Sequence, residues 1–369
     1  MNKFIKILAC IACFALFTCA GCKENDPDYP SIADGSMSRL ALITGTTELE
    51  VDFDYASIWE GVVNCSESNN LNYSYYRPAE MTDEAIVQQF QYAIEDGATV
   101  VICMGDVFVH AIKTMQESHP DVKFVILDVS EESIGALKPN THTVMFRQEQ
   151  GGYLAGFGAV KDGFTKLGFM GDHPAEAYDN YLNGFVAGAN DAAKVLNASI
   201  EINIAYKTDY ESEEIALNAV DAWYKEGTEL IMVSSSDEFT AGCAEKAVEN
   251  MGYIIGTDND QSHLGANLDY NPFLTSSMKG VREAVDATLE MMLAGSWDEE
   301  MGGKTLYFGL QNGNYIYLPE YEATWLFKGF SLDEYNALKS KISQGEIMID
   351  GQNLPKVDEN LVKLKIISE

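Results

Sequence analysis

The feature that most constrains the fold of this chain is a regular alternation between short apolar runs and amphipathic segments with a helical period. The first series of strand-like runs lies at 39–44, 72–77, 98–105, 122–129 and 142–146. A second series follows at 166–172, 200–206, 229–235 and 252–258. Continuous apolar strands that alternate with helices are typical of parallel sheets covered by helices on both faces. The sequence therefore predicts an α/β fold with two doubly wound, Rossmann-like lobes.

Helical patterns separate these runs. The predicted helices lie near 55–66, 82–96 and 107–118 in the first series, and near 149–161, 175–196, 211–225 and 238–250 in the second. Beyond the second series, the pattern predicts a helix at about 275–295 and a last one at about 331–344. Between these two helices, Asn312 and Gly313 separate two β-rich runs, which is typical of a tight hairpin. Gly156 and Gly158 are expected to allow close helix packing.

The N-terminus has the layout of a bacterial lipoprotein signal. Two lysines precede an apolar run at 7–17, and small residues come directly before Cys22. This run is too short for a typical membrane-spanning helix. We expect residues 1–21 to be removed, Cys22 to carry the lipid, and the acidic segment 22–37 to be a flexible tether. Cys19 stands where such signals usually have leucine, and an ordinary cleaved signal with an incidental cysteine is the alternative.

Charge and motif spacing exclude several classes of protein. The formal net charge is −33, so binding to nucleic acid or to anionic lipid through the protein surface is not expected. The segment 258–269 resembles a calcium loop but has histidine where glycine is required at its sixth position. The histidines lack zinc-site spacing, and no GxSxG motif is present. We therefore expect no metal, no cofactor and no enzymatic activity, and we interpret the cysteines Cys65, Cys103 and Cys243 as structural.

Polar and aromatic side chains follow the predicted strands where a ligand would bind, since ligands of open α/β sheets lie beyond the carboxyl ends of the strands. The residues expected there are Phe53, Asp54, Tyr55, Gly105, Asp106, Asp172, Tyr178, Tyr181, Ser234, Ser235, Asp237 and Asp258. Aromatic rings can stack on a flat group, and carboxylates can accept hydrogen bonds from hydroxyls. The set favours a neutral, polar ligand with a flat ring, although each aspartate alone is also explained as a helix cap.

Short motifs along nearly the whole mature chain resemble the basic membrane protein family of substrate-binding lipoproteins, which includes the purine nucleoside receptors of ABC transporters. The motifs are WEG at 59–61, PDVKFVILD at 120–128, GGYLAGFGA at 151–159, KLGFMGD with NGFVAGA, IIGTDNDQ at 254–261, LTSSMKGVREAV at 274–285, GGKTLYFGLQNG at 302–313 and LKSKISQGEI at 338–347. The most specific pattern is G-x-D-x-D-Q at 256–261, followed by T-S-x-x-K at 275–279.

The resemblance implies a type I periplasmic-binding-protein fold, in which two lobes joined by a three-segment hinge close on a ligand. The expected first lobe comprises 38–146 and about 262–300. The expected second lobe comprises 147–261 and about 301–325. A C-terminal helix and tail would occupy 326–369.

The resemblance also assigns roles to individual residues. Asp258 matches the aspartate that holds the ribose hydroxyls, and Lys279 matches the lysine near the sugar. Tyr181 falls where the family usually has a phenylalanine that stacks on the base. The first loop departs from the family pattern: its asparagine is missing, and Phe53 or Tyr55 would supply the second ring. The family's glycine-rich loop near the base is SSSDEF here, so a nucleoside is better supported than a purine in particular.

The resulting expectation is a monomeric, lipid-anchored receptor of the cell envelope that binds a nucleoside-like ligand and passes it to ABC permease subunits. The membrane would be contacted only through the lipid, on the periplasmic face or at the cell surface. One alternative is a ligand sensor of the same fold for another flat ligand, such as riboflavin, that is not coupled to transport. Another is a nucleoside hydrolase, for which the sequence offers neither a metal-binding aspartate cluster nor a nucleophile.

Overall fold

The computed structural model describes residues 39–49, 52–321 and 325–367. The predicted signal segment and the whole predicted tether, including Cys22, lie outside these residues, and the helices and strands discussed below belong to the described part. The chain forms two parallel α/β units, which we call the first and the second lobe.

The strands and helices alternate along most of the chain. The strands are β1 (Arg39–Ile43), β2 (Asn72–Tyr76), β3 (Val100–Met104), β4 (Lys123–Leu127), β5 (Thr141–Phe146), β6 (Lys166–Gly171), β7 (Ile200–Tyr206), β8 (Leu230–Ser234), β9 (Tyr253–Asp258), β10 (Phe273–Lys279), β11 (Lys304–Phe308), β12 (Ile316–Tyr317) and β13 (Val362–Ile366). The helices are α1 (Phe53–Asn69), α2 (Asp83–Glu95), α3 (Val109–Ser118), α4 (Glu131–Ile134), α5 (Gln148–Lys161), α6 (Glu176–Leu196), α7 (Glu213–Lys225), α8 (Asp237–Glu249), α9 (Val281–Leu293) and α10 (Leu332–Ser343). All nine strands predicted from the two series are confirmed.

Each lobe is built around one sheet. The first sheet has the strand order β11-β5-β4-β3-β1-β2, and the second has the order β12-β10-β9-β8-β6-β7-β13. Among the described residues, the pairings are parallel except that of β10 with β12. Apolar residues fill both faces of each sheet: one cluster lies on the outer side of each lobe, and a larger cluster includes buried residues of both lobes. The predicted α/β class with two doubly wound lobes is confirmed.

Three segments connect the lobes. The chain crosses from the first to the second lobe between β5 and α5, returns at Gly280 between β10 and α9, and crosses again between β11 and β12. Helix α9 packs on α1 of the first lobe although the strand before it belongs to the second. This arrangement is the multi-segment hinge that the sequence predicted.

Strand pairing corrects the expected lobe boundaries. The segment 273–279 belongs to the second lobe because β10 pairs with β9, and 304–308 belongs to the first lobe because β11 pairs with β5. The tail is also part of the second lobe, where β13 extends the sheet beside β7.

Two further predictions were wrong. The first turns of the helix expected at 275–295 are strand β10, and the helix itself covers only Val281–Leu293. The strand lies between two others and is buried on both faces, so its sequence shows no alternation that would distinguish it from a helix. The hairpin expected at Asn312 and Gly313 is instead an interlobe crossing, since β11 and β12 lie in different sheets.

Helices α5 and α6 pack closely because glycines lie at their contact. A Cβ atom added to Gly152 would lie 2.3 Å from the carbonyl oxygen of Tyr181, and one added to Gly184 would lie 2.0 Å from that of Glu149. Gly156 makes a similar approach to α6, which confirms its predicted packing role, whereas Gly158 faces aromatic side chains. Any larger residue would separate the two helices, so these glycines fix the position of Tyr181 relative to α5.

Candidate ligand-binding site

A cavity of about 300 Å³ lies between the two lobes at the carboxyl ends of their strands. Its walls come from the start of α1, the ends of β3 and β4, the start of α6, and the ends of β8, β9 and β10. The volume is at the small end of the range typical of ligand pockets in proteins. Both lobes line this cavity, as expected of a site that opens and closes with the hinge.

Most of the residues that the sequence analysis singled out line this cavity. Those lining it are Asp54, Tyr55, Gly105, Asp106, Tyr178, Tyr181, Ser234, Asp258 and Lys279. Phe53 does not line it, and its side chain is 50% exposed at the start of α1. Ser235 and Asp172 are also outside the lining, and the hydroxyl of Ser235 donates to Asp172 Oδ1 at 2.7 Å. Asp237 does not line the cavity either, and its Oδ1 accepts a hydrogen bond from Gln261 Nε2 at 2.8 Å.

Other lining residues were not identified from the sequence. They include Asp52, Asp128, Gln148, His173 and Glu176. Asp128 directly follows strand β4, so the same strand-end rule could have found it. Asp52 could have been recognised as the N-cap of α1, where its side chain accepts from Tyr55 N at 3.1 Å. No local pattern marks Gln148, His173 or Glu176.

Lys279 is the central charge of the site. Its side chain is 3% exposed, and its Nζ contacts Asp128 Oδ2 and lies 2.8 Å from Asp258 Oδ1. Burial disfavours the charged form of the lysine, but the carboxylates of Asp128 and Asp258 outweigh this and raise the pKa of Lys279 well above its usual range. Since Asp128 belongs to the first lobe and Lys279 to the second, this ion pair joins the lobes across the cavity.

The two aspartates that hold Lys279 share an uncommon backbone conformation. Asp128 has φ 61° and Asp258 has φ 70°, in the left-handed region that residues other than glycine seldom adopt. Each follows or ends a parallel strand, β4 in the first lobe and β9 in the second. Backbone conformations of this kind cost free energy and often occur at functional sites. The left-handed turn brings both carboxylates to the same ammonium group.

Tyr181 acts mainly by orienting Asp258, since little of its ring is exposed for stacking on a ligand. The tyrosine is 1% exposed, and its hydroxyl donates to Asp258 Oδ1 at 3.1 Å. Lys279 contacts the same oxygen, which leaves Asp258 Oδ2 without a hydrogen bond from the described residues. Tyr178, which packs edge-on against His173 with ring centroids 4.9 Å apart, is the more accessible ring of α6.

Asp54 has a buried carboxyl oxygen, Oδ1, without a hydrogen-bond partner among the described residues. The pKa of Asp54 is raised to about 7, mainly by burial; Lys279 opposes this rise, and the neighbouring Asp258 and Asp128 contribute to it. A carboxyl group in this state is well suited to interact with a ligand.

Metal binding has no support from the side chains that the structure describes. Within 39–49, 52–321 and 325–367, no three histidine, cysteine or acidic side chains converge as metal ligands would. The ammonium group of Lys279 already lies between the carboxylates of Asp128 and Asp258.

The comparisons with known proteins agree with this architecture. The profile of the family described as Bmp, ABC transporter substrate-binding protein PnrA-like, matches residues 54–352. Basic membrane protein A1 of Borrelia garinii subsp. bavariensis is 26% identical over 358 residues, covering 95% of this chain and 96% of that protein. The CD4+ T-cell-stimulating antigen of Listeria innocua is 25% identical over 350 residues, covering 89% and 93%.

Solved structures share the fold. An ABC transporter solute-binding protein from Conexibacter woesei superimposes with a TM-score of 0.64 at 18% identity, covering 85% of this chain and 99% of that one. A second, from Aeropyrum pernix, gives a TM-score of 0.62 at 14% identity, covering 88% and 95%. The fold is thus that of type I periplasmic binding proteins.

The chain belongs to the Bmp family of PnrA-like ABC transporter substrate-binding proteins. This family consists of extracytoplasmic binding proteins for small molecules and not of enzymes. None of the helices in the described ranges is long and apolar enough to cross a membrane.

Proposed function

We propose that this protein is a lipid-anchored receptor that captures a nucleoside-like ligand between its lobes and delivers it to an ABC permease. The observation that carries the proposal is the set of contacts made by the Asp258 carboxylate. Lys279 and the hydroxyl of Tyr181 hold one of its oxygens, and the other is left to accept hydrogen bonds inside the cavity. A carboxylate fixed in this way is suited to the two neighbouring hydroxyls of a ribose.

Aromatic side chains on both sides of the cavity support a flat group next to the sugar. Tyr55 lies in the first lobe, where its hydroxyl donates to the carbonyl of Met104 at 3.3 Å, and Tyr178 lies in the second. A ring held between the two lobes would couple ligand binding to hinge closure. Riboflavin, which also joins a flat ring to a chain of hydroxyls, remains the alternative ligand.

A ligand panel tests the proposed ligand class. Purified protein would be heated with common nucleosides, free bases, riboflavin and several sugars, and unfolding would be followed by fluorescence. A ligand at 100 times its dissociation constant adds about 2.7 kcal/mol to the free energy of unfolding. We expect stabilisation by nucleosides but not by free bases, and its loss in Asp258→Ala.

The matched control is Asp260→Ala. This aspartate lies two residues further on, outside the cavity lining, where its Oδ1 accepts from Ser262 N at 3.1 Å. The control should keep the response to nucleosides. Stabilisation by riboflavin alone would replace the nucleoside with the alternative ligand, and equal responses of both variants would remove the assigned role of Asp258.

Two further measurements test the anchor and the transport role. Metabolic labelling with a palmitate analogue should mark the wild-type chain and Cys19→Ser but not Cys22→Ser. Uptake of the identified nucleoside by cells should fall when the gene for this chain is deleted. Unchanged uptake, with a change in the cell's response to the ligand, would favour the alternative role of a sensor.

A further inference from the structure

Acidic side chains outnumber basic ones in the lining of the cavity. Six carboxylates line it, against one lysine and one histidine: Asp52, Asp54, Asp106, Asp128, Glu176, Asp258, Lys279 and His173. A cavity with low-dielectric walls concentrates the field of such charges and raises the local concentration of cations. A neutral nucleoside would leave this excess of negative charge uncompensated.

The positive charge within the cavity is already shared. The ammonium of Lys279 is in direct contact with Asp128 and Asp258, and Gln148 Nε2 donates to the other oxygen of Asp128 at 3.0 Å. His173 Nδ1 lies within hydrogen-bond distance of Asp172 Oδ2, at 2.9 Å, and His173 Nε2 lies 4.0 Å from Asp106 Oδ2. Neither Lys279 nor His173 makes a hydrogen bond or ion pair with Asp54.

Asp54 is therefore a carboxyl group that lacks a partner where one would be expected. The residue lines the cavity, and its Oδ1 is buried and accepts no hydrogen bond within the described ranges. An unsatisfied buried carboxylate is costly for folding, and proteins retain such groups mainly where function uses them. A hydrogen-bond donor is missing there, and the surrounding carboxylates favour a donor with a positive charge.

We propose that the ligand carries a cationic nitrogen, such as a protonated amine, that binds Asp54 and shares the negative field of Asp52 and Asp258. An ammonium group has three donors and no acceptor, so it can donate to Asp54 while its charge offsets those of the neighbouring carboxylates. Charge-assisted hydrogen bonds of this type are about twice as strong as those between neutral groups. This inference deepens the proposed function, on which it rests for the position of the ligand in the cleft.

The ionisation of Asp54 gives the proposal a pH signature. The groups that act on Asp54 are Lys279 of β10, Asp258 at the end of β9, Asp128 after β4 and Asp52 at the start of α1. With a pKa of about 7 in the free protein, Asp54 must lose its proton before it can bind a cation. Affinity for a cationic ligand should therefore rise between pH 6 and pH 8. If a protonated Asp54 instead donates to a neutral ligand, the affinity should fall over the same range.

Two matched pairs of probes test the charge preference by calorimetry on the purified full chain. The first pair is adenosine and 5′-amino-5′-deoxyadenosine, which differ by one hydroxyl and one ammonium group. The second pair, benzyl alcohol and benzylamine, makes the same comparison without any nucleoside. We expect the amine to bind at least tenfold more tightly than the alcohol at pH 8, with the difference shrinking at pH 6.

Asp54→Asn is the decisive variant, and Asp260→Asn is its control. The control removes a carboxylate that lies outside the cavity lining, where its Oδ1 accepts from Ser262 N at 3.1 Å. We expect Asp54→Asn to abolish the preference for the amine and Asp260→Asn to keep it. The ligand-free Asp54→Asn protein should also melt at a higher temperature than wild type at pH 8 but not at pH 5, which shows that the variant folds.

The outcomes separate this inference from the proposed function. Equal affinities within both pairs, or a preference for the amine that survives in Asp54→Asn, would overturn the cationic ligand. Tight binding of adenosine with no gain for its amine would do so while leaving the nucleoside receptor intact. A preference for benzylamine that depends on Asp54, without binding of either nucleoside, would support the cationic ligand and remove the nucleoside class.

Discussion

Replacing Lys279 with methionine tests the electrostatic account of the cleft most directly. Methionine keeps much of the aliphatic length of the side chain but leaves the carboxylates of Asp128 and Asp258 without their cation. Removing one partner of a buried ion pair costs about 3–5 kcal/mol, because the remaining charge stays buried and unpaired. Since Lys279 is 3% exposed and serves two carboxylates, we expect a loss of about 4–5 kcal/mol in the free energy of unfolding at pH 8.

The pH dependence of this loss is the sharper part of the prediction. In wild type, the raised pKa of Lys279 keeps the lysine charged at every pH from 5 to 8, so its contribution is constant there. In the variant, the unpaired carboxylates take up protons in the folded state at a higher pH than in the unfolded state. The folded variant then binds more protons than the unfolded chain, and its stability falls as the pH rises. The deficit should be small at pH 5 and largest at pH 8.

Urea unfolding at several pH values, followed by tryptophan fluorescence and circular dichroism together, measures this deficit. Two probes are needed because a two-lobed chain need not unfold in one step. The control is Lys225→Met, which removes an exposed lysine paired with Asp221 at 2.5 Å on the surface of α7 and should change the stability by less than about 1 kcal/mol. A deficit of Lys279→Met no larger than that of the control, or one equal at pH 5 and pH 8, would refute the reasoning.

Three further expectations concern other parts of the molecule. Gly184→Ala places a Cβ atom 2.0 Å from a backbone carbonyl of α5, so we expect a loss of about 3 kcal/mol in thermal unfolding, and an unchanged melting temperature would contradict the close helix contact. Tyr181→Phe removes the donor to Asp258 while keeping the ring, and should cost about 1.5–3 kcal/mol in urea unfolding; a smaller loss would mean that the hydroxyl does not hold the carboxylate. At Asp172, burial opposes ionisation, but the hydrogen bond with Lys207 and further bonds outweigh it and lower the pKa of the carboxyl. Asp172→Asn should therefore be less stable than wild type at pH 7, with a difference that disappears as the pH falls below the lowered pKa, and a constant difference would contradict this.

The fold was largely predictable because its strands are continuous apolar runs bounded by polar turns. The missed strands lack this signal for identifiable reasons. In β10, buried hydroxyls replace apolar side chains, and Ser276 Oγ accepts from the backbone N–H of Gln261 at 3.1 Å. In β13, an edge strand, two lysines alternate with apolar residues and pair with Glu201 of β7. Both strands depend on partners distant in sequence, which a local pattern does not contain.

The site was predictable in its location but not in its charge balance. The strand-end rule brought Asp54, Asp106 and Asp258 to one cavity, and the family resemblance added Lys279. The sequence could not show that Asp128 also contacts Lys279, because the two residues belong to different lobes. Nor could it show that the hydroxyl of the buried Tyr181 donates to Asp258.

The interlobe ion pair links the chemistry of the ligand to the closure of the lobes. Lys279 contacts Asp128 across the cleft in this arrangement, so part of the free energy that holds the lobes together does not require a ligand. A ligand shifts the equilibrium between open and closed forms only through contacts that differ between them. A neutral ligand would add hydrogen bonds in the closed cleft, but the carboxylates of Asp54, Asp128 and Asp258 would still repel one another. A cationic ligand would also relieve that repulsion, which exists only when the carboxylates of both lobes are brought together. Repulsion between these carboxylates raises the free energy of the closed form without a ligand, so closure of the lobes would depend on a cationic ligand.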